Sequence, residues 1–508
     1  MAGKLEVERK YEVPDGFALP DLTGIGGVAT IGEPDDQRLD AVYYDTEGLS
    51  LARGRVTLRR RSGGHDAGWH LKRPSGAARS ELQIPATNRK TTPPSAVADQ
   101  VRALSRGEAL QPVARIRTHR VERALRAADG STVALLADDR VSTESLRAGG
   151  AARHWHELEI ELVAGGDTDL ARLDRVLRRA GARPAKAPSK LAQALGKDFP
   201  EPQPLRLRGS KARKALAAYV AAQRDAIVEH DPNVRDGDAD AVHKMRVATR
   251  RLRSTLRSFA PVLSGDLDAL HDEIKWVTGL LGAVRDCDVM AERLAGLIAA
   301  EPARLVVGPV AARITTLLGQ RAERARTELV AGLNSPRYTT LLNDIDALVF
   351  RTAQPDRIPR RRLMRRARKA LERADARLAD ATRPPKTGKK AARKAAGKPS
   401  VDERLHEARK AYKRARYAAE LVVPLAGARA ERLADRLTAM QDVLGAHQDA
   451  LVTGDLLLEY AQEAHVAGEN GFTYGVLHAR ADEHGRQALD QLPATSRKAR
   501  KAGRKLYK

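Results

Sequence analysis

Along the first two hundred residues, apolar and polar side chains alternate with period two in several runs separated by turn residues, the pattern of strands with one buried face. Leu5, Val7 and Tyr11 alternate with Glu6, Glu8 and Lys10, and Val56 and Leu58 with Arg55, Thr57, Arg59 and Arg61. Trp69 and Leu71 alternate with His70 and Lys72, and Leu158, Ile160 and Leu162 with Glu157, Glu159 and Glu161. Each run predicts a strand with one apolar and one charged face. From about residue 205 the periodicity becomes helical, in segments rich in Ala, Leu and Arg, and the Pro-containing stretch 199–204 separates the two regimes. The expected class is α+β multidomain, with a sheet domain over 1–203 and an all-α domain over 204–508.

The helical part repeats itself. His243, Arg246, Arg250 and Arg253 recur as His406, Arg409, Lys413 and Arg416 at identical spacing, and the same shift carries Leu281, Gly282, Ala283 and Asp286 onto Leu444, Gly445, Ala446 and Asp449. Two motifs sharing one offset predict duplicated helical-bundle repeats. Between them, 383–400 is basic and poor in bulky apolar residues, which predicts a disordered linker. The last thirteen residues, SRKARKAGRKLYK, read as a basic tail.

Charge sharpens this division. The formal net charge is +25, yet residues 1–204 hold 32 Lys+Arg against 28 Asp+Glu, so +21 falls on the helical part. Such a field attracts polyanions, whether nucleic acid, polyphosphate or anionic lipid. A single cysteine, Cys287, excludes an internal disulfide framework and cysteine-cluster metal sites, so any metal here needs other ligands. With no apolar signal-like segment and no run of membrane-spanning length, the expected setting is the cytoplasm without membrane insertion, with polyphosphate granules as a candidate association.

Glu6, Glu8 and Lys10 share one strand face, and for one strand alone such mixed charge usually means a solvated sheet. Several such strands closing with the charged face inward would set Arg59, Arg61, Lys72, Arg79 and Arg120 around phosphate oxygens. Glu6, Glu8, Glu81, Glu159 and Glu161 would repel that anion unless cations lay between, and carboxylates with phosphates suit Mg²⁺ or Mn²⁺.

The ordered set E-x-E-x-K at 6–10, YYDT at 43–46, LRRR at 58–61, WHLKRP at 69–74 and LEIEL at 158–162 resembles the CYTH family, the triphosphate tunnel metalloenzymes, over about residues 1–200. The resemblance implies an eight-stranded antiparallel β tunnel barrel whose members hydrolyse tripolyphosphate, thiamine triphosphate or RNA 5′-triphosphate, or cyclise ATP. It implies Glu6, Glu8, Glu159 and Glu161 as metal ligands, with Asp138 and Glu81 at a second metal; Asp139 is the alternative to Asp138, and Glu157 is either structural or an extra ligand. Lys10, Arg59, Arg61, Lys72, Arg120 and Lys190 would bind phosphate, and Lys10 and Tyr43 would assist water activation or leaving-group protonation.

On a helix the spacing of His243, Arg246, Arg250 and Arg253 fits within an arc of about 80°, with Arg257 extending the ridge. A lone charged ridge is usually a solvated face, but like charges one turn apart cost helix stability, and the repetition in His406, Arg409, Lys413 and Arg416 points to a shared anionic ligand. VHKMRVATRRLRS, LLGAVRDCDV and their weaker counterparts LHEARKAYKRARY and VLGAHQDALV resemble the CHAD domain, which implies two four-helix repeats around a basic groove for inorganic polyphosphate. The halves differ where Gln448 stands in the place of Arg285 and Lys413 in that of Arg250. Aromatics such as Tyr219, Tyr412 and Tyr417 do not interleave with the ridge, so nucleic acid is the weaker expectation. The expected activity is metal-dependent hydrolysis of inorganic triphosphate or short polyphosphate. Its alternatives are a non-catalytic polyphosphate adaptor and a tunnel enzyme acting on nucleoside or thiamine triphosphate, adenylate cyclase included.

Overall fold

The computed structural model describes residues 4–75, 78–85, 91–147, 149–201, 205–355, 357–383 and 399–508. The side chains of Glu6 and Arg79 and all but the ends of the basic stretch 383–400 lie outside the described ones. The chain divides into two compact units, Met1–Pro204 and Leu205–Lys508.

The amino-terminal unit is an antiparallel sheet. Its strands are β1 (Lys4–Glu6), β2 (Glu8–Val13), β3 (Thr30–Ile31), β4 (Asp35–Asp45), β5 (Thr57–Ser62), β6 (Gly68–Ser75), β7 (Ala78–Pro85), β8 (Gln111–Arg126), β9 (Thr132–Ser145), β10 (Arg153–Leu162) and β11 (Arg183–Pro184). Ten of them run in the order β1-β7-β6-β5-β4-β8-β9-β10-β2-β11, with β3 beside β8. This corrects the expected eight-stranded closed barrel: among the described residues the hydrogen-bond ladder has more strands and does not close. The reason lies at Val7. One extended run is broken there, so that β1 pairs with β7 while β2, one residue later, pairs with β10 at the other end of the ladder. Covalent continuity therefore brings the two ends of the ladder together.

On β2 and β10 the apolar face points away from the charged one. Leu158 and Ile160 on β10 and Tyr11 and Val13 on β2 pack with Leu170, Leu173 and Leu177 of helix α1 (Asp167–Arg179) in one core. Tyr43, Ala114, Ile116 and Val141, on the same face as Arg120 and Asp139, pack with Leu191, Ala194 and Leu195 of helix α2 (Lys190–Leu195) in a second core on the inner side. Because strand side chains alternate, covering the apolar face of β2 and β10 with α1 turns Lys10, Glu159 and their neighbours to the opposite face.

The carboxy-terminal unit is helical: α3 (Lys211–Arg235), α4 (Ala239–Phe259), α5 (Leu267–Ala300), α6 (Val310–Asn334), α7 (Pro336–Ala353), α8 (Arg360–Ala381), α9 (Val401–Leu421), α10 (Ala428–Val466), α11 (Phe472–Asp490) and α12 (Leu492–Tyr507). Among the described residues six of these long helices precede the basic stretch 383–400 and four follow it. The apparent basic tail is most of α12, whose buried Ser496, Ala499, Gly503 and Leu506 give it an inward stripe that small residues hid from the hydrophobic pattern. The far ends of α5 and α10 meet in a core containing Leu294, Leu457, Tyr460 and Tyr474. No helix among the described residues is long and apolar enough to cross a membrane.

Candidate functional site

The inward face of the sheet surrounds a cavity of about 120 Å³. Glu8 and Lys10 from β2, Tyr43 from β4, Arg59 and Arg61 from β5, Lys72 from β6, Glu81 from β7, Arg120 from β8, and Glu159 and Glu161 from β10 all line it. Lys190 reaches the same space from α2, where Ser189 caps the helix by accepting from Ala192 N at 3.1 Å.

The centre of this wall is a compact lattice of opposite charges. Lys190 Nζ lies 2.9 Å from Asp139 Oδ2, 2.5 Å from Glu157 Oε1 and 2.8 Å from Glu159 Oε1. Lys10 Nζ meets Glu159 Oε1 at 2.6 Å and Glu8 Oε2 at 3.2 Å, while Arg120 donates to Asp139 and to Glu159 Oε2 at 2.8 Å. Burial alone would raise the Glu159 carboxyl, but Lys10, Lys190 and Arg120 outweigh it and hold Glu159 well below the usual carboxylate range. Burial would likewise lower Lys10, yet Glu159 and Glu8 keep it above an ordinary lysine, so it remains a cation. Burial, with repulsion from Glu159, leaves Glu157 raised despite Lys190.

The opposite wall carries the excess of bases. Arg59 donates to the Tyr43 hydroxyl at 3.3 Å, and this guanidinium, with Lys190 and Lys10, outweighs burial to keep the phenol below its ordinary value. Glu81 bridges His70 at 2.8 Å, Lys72 at 3.7 Å and Arg59 at 4.0 Å. Arg61 pairs with Asp66, and burial, with repulsion from Arg59 and Arg120, pushes it down to about 9. The Nε atoms of Arg59 and Arg61 are buried without a hydrogen-bond partner, a costly state that an entering anion would relieve.

Asp138 is not in this cavity. It faces the other side of β9 and accepts from His156 at 2.6 Å, while its neighbour Asp139 is fully buried against Arg120 and Lys190. Register decides it: β9 places Asp139 opposite Arg120, whose side chain points inward. Two acids escaped sequence reasoning: Asp66, which lines the cavity beside Arg61, and Glu122, outside the lining but 3.7 Å from Arg120, which period-two counting from Arg120 would have found.

In the helical unit a second cavity, of about 630 Å³, brings together Arg246, Arg250, Arg253 and Arg257 of α4 with His406, Arg409 and Lys413 of α9. His243 and Arg416 fall outside its lining; Arg416 instead donates to Glu420 at 2.8 Å. Lys275, Lys410 and Arg414, not singled out from the sequence, do line it. The duplicated motifs meet in pairs: Arg246 lies 3.1 Å from Asp286, and Arg409 lies 3.6 Å from Asp449. A Cβ at Gly282 would come 3.5 Å from Arg246, and one at Gly445 3.6 Å from Arg409, so each guanidinium runs over the repeated glycine. Both Arg246 and Arg409 keep a buried Nε without a partner. Lys413 is pushed down to about 6 by burial and by Arg250, Arg409 and Arg246, with only Asp449 opposing.

The family model of the CYTH domain matches residues 4–184, and that of the CHAD domain matches residues 218–458. The chain is a CYTH–CHAD protein. An uncharacterized protein of Mycobacterium tuberculosis is 36% identical over 99% of this chain and 98% of its own length. Among solved structures, the CHAD domain of the plant Ricinus communis is 28% identical, covering 57% of this chain and 92% of its own, with a TM-score of 0.44. A putative adenylate cyclase of Bacillus halodurans is 19% identical, covering 38% of this chain and 98% of its own, with a TM-score of 0.27.

The CYTH domain offers two sets of acids to a divalent cation. Asp139, Glu157 and Glu159 bring oxygens within 4.8 Å of one another, but the Lys190 ammonium stands among them. Glu8 and Glu161 are directly opposite in register, Glu8 already meeting Lys10 at 3.2 Å, and the two like charges side by side fit a hard metal ion.

Proposed function

We propose that the CYTH domain is a divalent-metal-dependent hydrolase of inorganic triphosphate or short polyphosphate, and that the CHAD domain binds inorganic polyphosphate. The observation that carries the first part is one cavity where Arg59, Arg61, Lys72 and Arg120 face the carboxylates of Glu8 and Glu161. Tyr43 is the one aromatic residue among the described lining, which favours an inorganic chain over a nucleotide with a base to stack.

Arg59, Arg61, Lys72 and Arg120 grip nonbridging phosphate oxygens, with the orphaned Nε atoms of Arg59 and Arg61 as donors. Glu8 and Glu161, with Glu6 two residues before Glu8, would hold Mg²⁺ or Mn²⁺, which when bound offsets phosphate charge and lowers the pKa of water. Lys10, protonated and anchored by Glu159, places a positive charge and a proton next to the leaving phosphate. Tyr43, oriented by Arg59, positions the attacking water. Asp139, Glu157 and Lys190 keep the acids and bases of β9, β10 and α2 in register, so that catalysis is mostly positioning and electrostatics.

The test is phosphate release from tripolyphosphate with Mg²⁺ or Mn²⁺, alongside calorimetric Mn²⁺ binding, for the wild type and for Glu8→Gln with Glu161→Gln. Loss of both metal binding and turnover, with an unchanged melting temperature, is expected. Full turnover in the double variant would remove the metal assignment, and metal binding without turnover in the wild type would favour the adaptor.

A further inference from the structure

The first basic groove of the CHAD domain does not stop at the repeated motifs. Arg257 and Arg414 line it, and they also line an adjoining cleft of about 240 Å³ with Arg366 and Arg373. Arg373 and Arg414 in turn line a third cleft of about 440 Å³ with Arg377. Shared walls make the three clefts one path.

Apart from its buried stripe of Leu363, Ala367, Leu371, Ala374 and Leu378, helix α8 carries bases on more than one side, so charge alone does not single out this face. Shape and pairing do. Arg366, Arg373 and Arg377 fall with Ala370 within an arc of about 60° on α8 and span about 16 Å along its axis. Ala370 and Ala411 line the clefts between them, and their small side chains leave room for an anion to approach the guanidinium groups. Arg366 is aimed by its Nε–H, which donates to the Ser258 carbonyl at 2.8 Å, leaving its outer nitrogens to the cleft. Among the described residues, no ion pair holds Arg257, Arg373, Arg377 or Arg414. The acids along the path are Asp268 and Asp272 in the first groove, Glu407, which acts on Arg414 but is engaged by Lys410 at 2.8 Å, and Asp380 at the far end. Elsewhere on the same helix the off-path Arg368 has its own carboxylate, Glu372, at 2.7 Å.

We propose that the polyphosphate path continues from the first groove over α8, where Arg366, Arg373 and Arg377, with Arg257 and Arg414, form a second anion-binding stretch that recognises long chains. This rests on the reading of the CHAD domain as a polyphosphate binder. A row of guanidinium groups suits a polymer with a regular charge repeat, because each turn of helix presents a new fork of donors to the next phosphates. Short chains fill the first groove alone; longer ones reach α8.

The experiment measures affinity of the full-length protein for inorganic polyphosphate fractionated from short to long. It compares the wild type with Arg366→Gln/Arg373→Gln, with the exposed pair Arg373→Gln/Arg377→Gln, with Arg250→Gln/Arg409→Gln in the first groove, and with the off-path exposed pair Arg429→Gln/Arg432→Gln. Thermal melting checks that each remains folded. Both α8 variants are expected to lose at least about tenfold in affinity for long chains, two charge-assisted hydrogen bonds being removed, with little change for short ones. The first-groove variant weakens every length, and the off-path pair changes none. If long-chain affinity survives in the α8 variants while the first-groove variant loses it, the extension is wrong and polyphosphate binding stands. An equal loss in the off-path pair reduces the effect to overall charge and overturns the path. If the first-groove variant also binds normally, the underlying reading falls with it.

Discussion

Replacing Lys190 by Met removes one ammonium and leaves three acids facing one another. Lys190 Nζ sits 2.5 to 2.9 Å from Asp139, Glu157 and Glu159, whose oxygens come within 4.8 Å of each other. Asp139 and Glu157 are almost fully buried, so water cannot take over the lost role. Breaking a buried pair by deleting one partner typically costs about 3–5 kcal/mol, and in a domain of this size each kcal/mol lowers the melting temperature by about 2–4 °C. The melting transition of the CYTH domain should therefore fall by about 6–20 °C at pH 7. The sign of the pH effect follows from the acids. Asp139 and Glu159 are held below their usual range by Lys190, Arg120 and Lys10, so their contribution is complete above the unfolded carboxylate pKa and is lost as pH falls through the folded one. Without Lys190 these carboxyls protonate at higher pH, so the gap between variant and wild type narrows on acidification from 7 to 5. Calorimetry of the full-length protein at both pH values, with and without Mn²⁺, provides the measurement. A CYTH-domain transition unchanged at pH 7, or a gap that widens in acid, would refute the account of Lys190 as the built-in counter-ion of this cluster.

Polyphosphate binding should take up protons: Lys413, held near 6 by Arg250, Arg409 and Arg246, regains its charge beside an anion, so affinity falls by up to about tenfold per pH unit above 6. Titration calorimetry in buffers of different ionisation heat detects that uptake, and affinity flat from pH 6 to 8 contradicts it. Asp138→Asn should leave metal binding and turnover near wild type, at a cost of about 1 kcal/mol for its bond to His156, whereas Asp139→Asn should impair both folding and turnover. Arg416→Ala should barely change polyphosphate affinity but lower the melting temperature, because its guanidinium holds Glu420 rather than the groove; a large affinity loss at constant stability would show otherwise.

Period-two alternation announced the strands, and the charged face it defined is the one that lines the cavity, because Leu158 and Ile160 need the cover of α1. Alternation alone does not say which face turns inward, and it cannot choose between two adjacent aspartates. Asp138 and Asp139 differ by one step of register against β8, a property of pairing that a single strand does not contain. Strand number escaped for a related reason: the break at Val7 changes partners within one unbroken alternating run. In the helical domain the repeated ridge was visible in spacing, yet Arg414 lies off the ridge by one residue and enters the groove only through the packing of α9 against α4 and α8. The final helix was hidden because Ala499 and Gly503 bury a face without bulky side chains.

The partner change at Val7 also bears on how the chain is made. Lys10 pairs across the sheet with a residue 149 positions later, so at about 5–20 residues per second β2 leaves the ribosome about 7–30 s before its β10 neighbour exists. Through that interval its alternating edge has no native partner, and the domain cannot complete its ring of charges until the LEIEL segment emerges. A nascent chain stalled short of residue 162 should accordingly be protease-sensitive and attract chaperones, whereas the helical half, built largely from neighbours in sequence, can begin to pack as soon as its first hairpins appear.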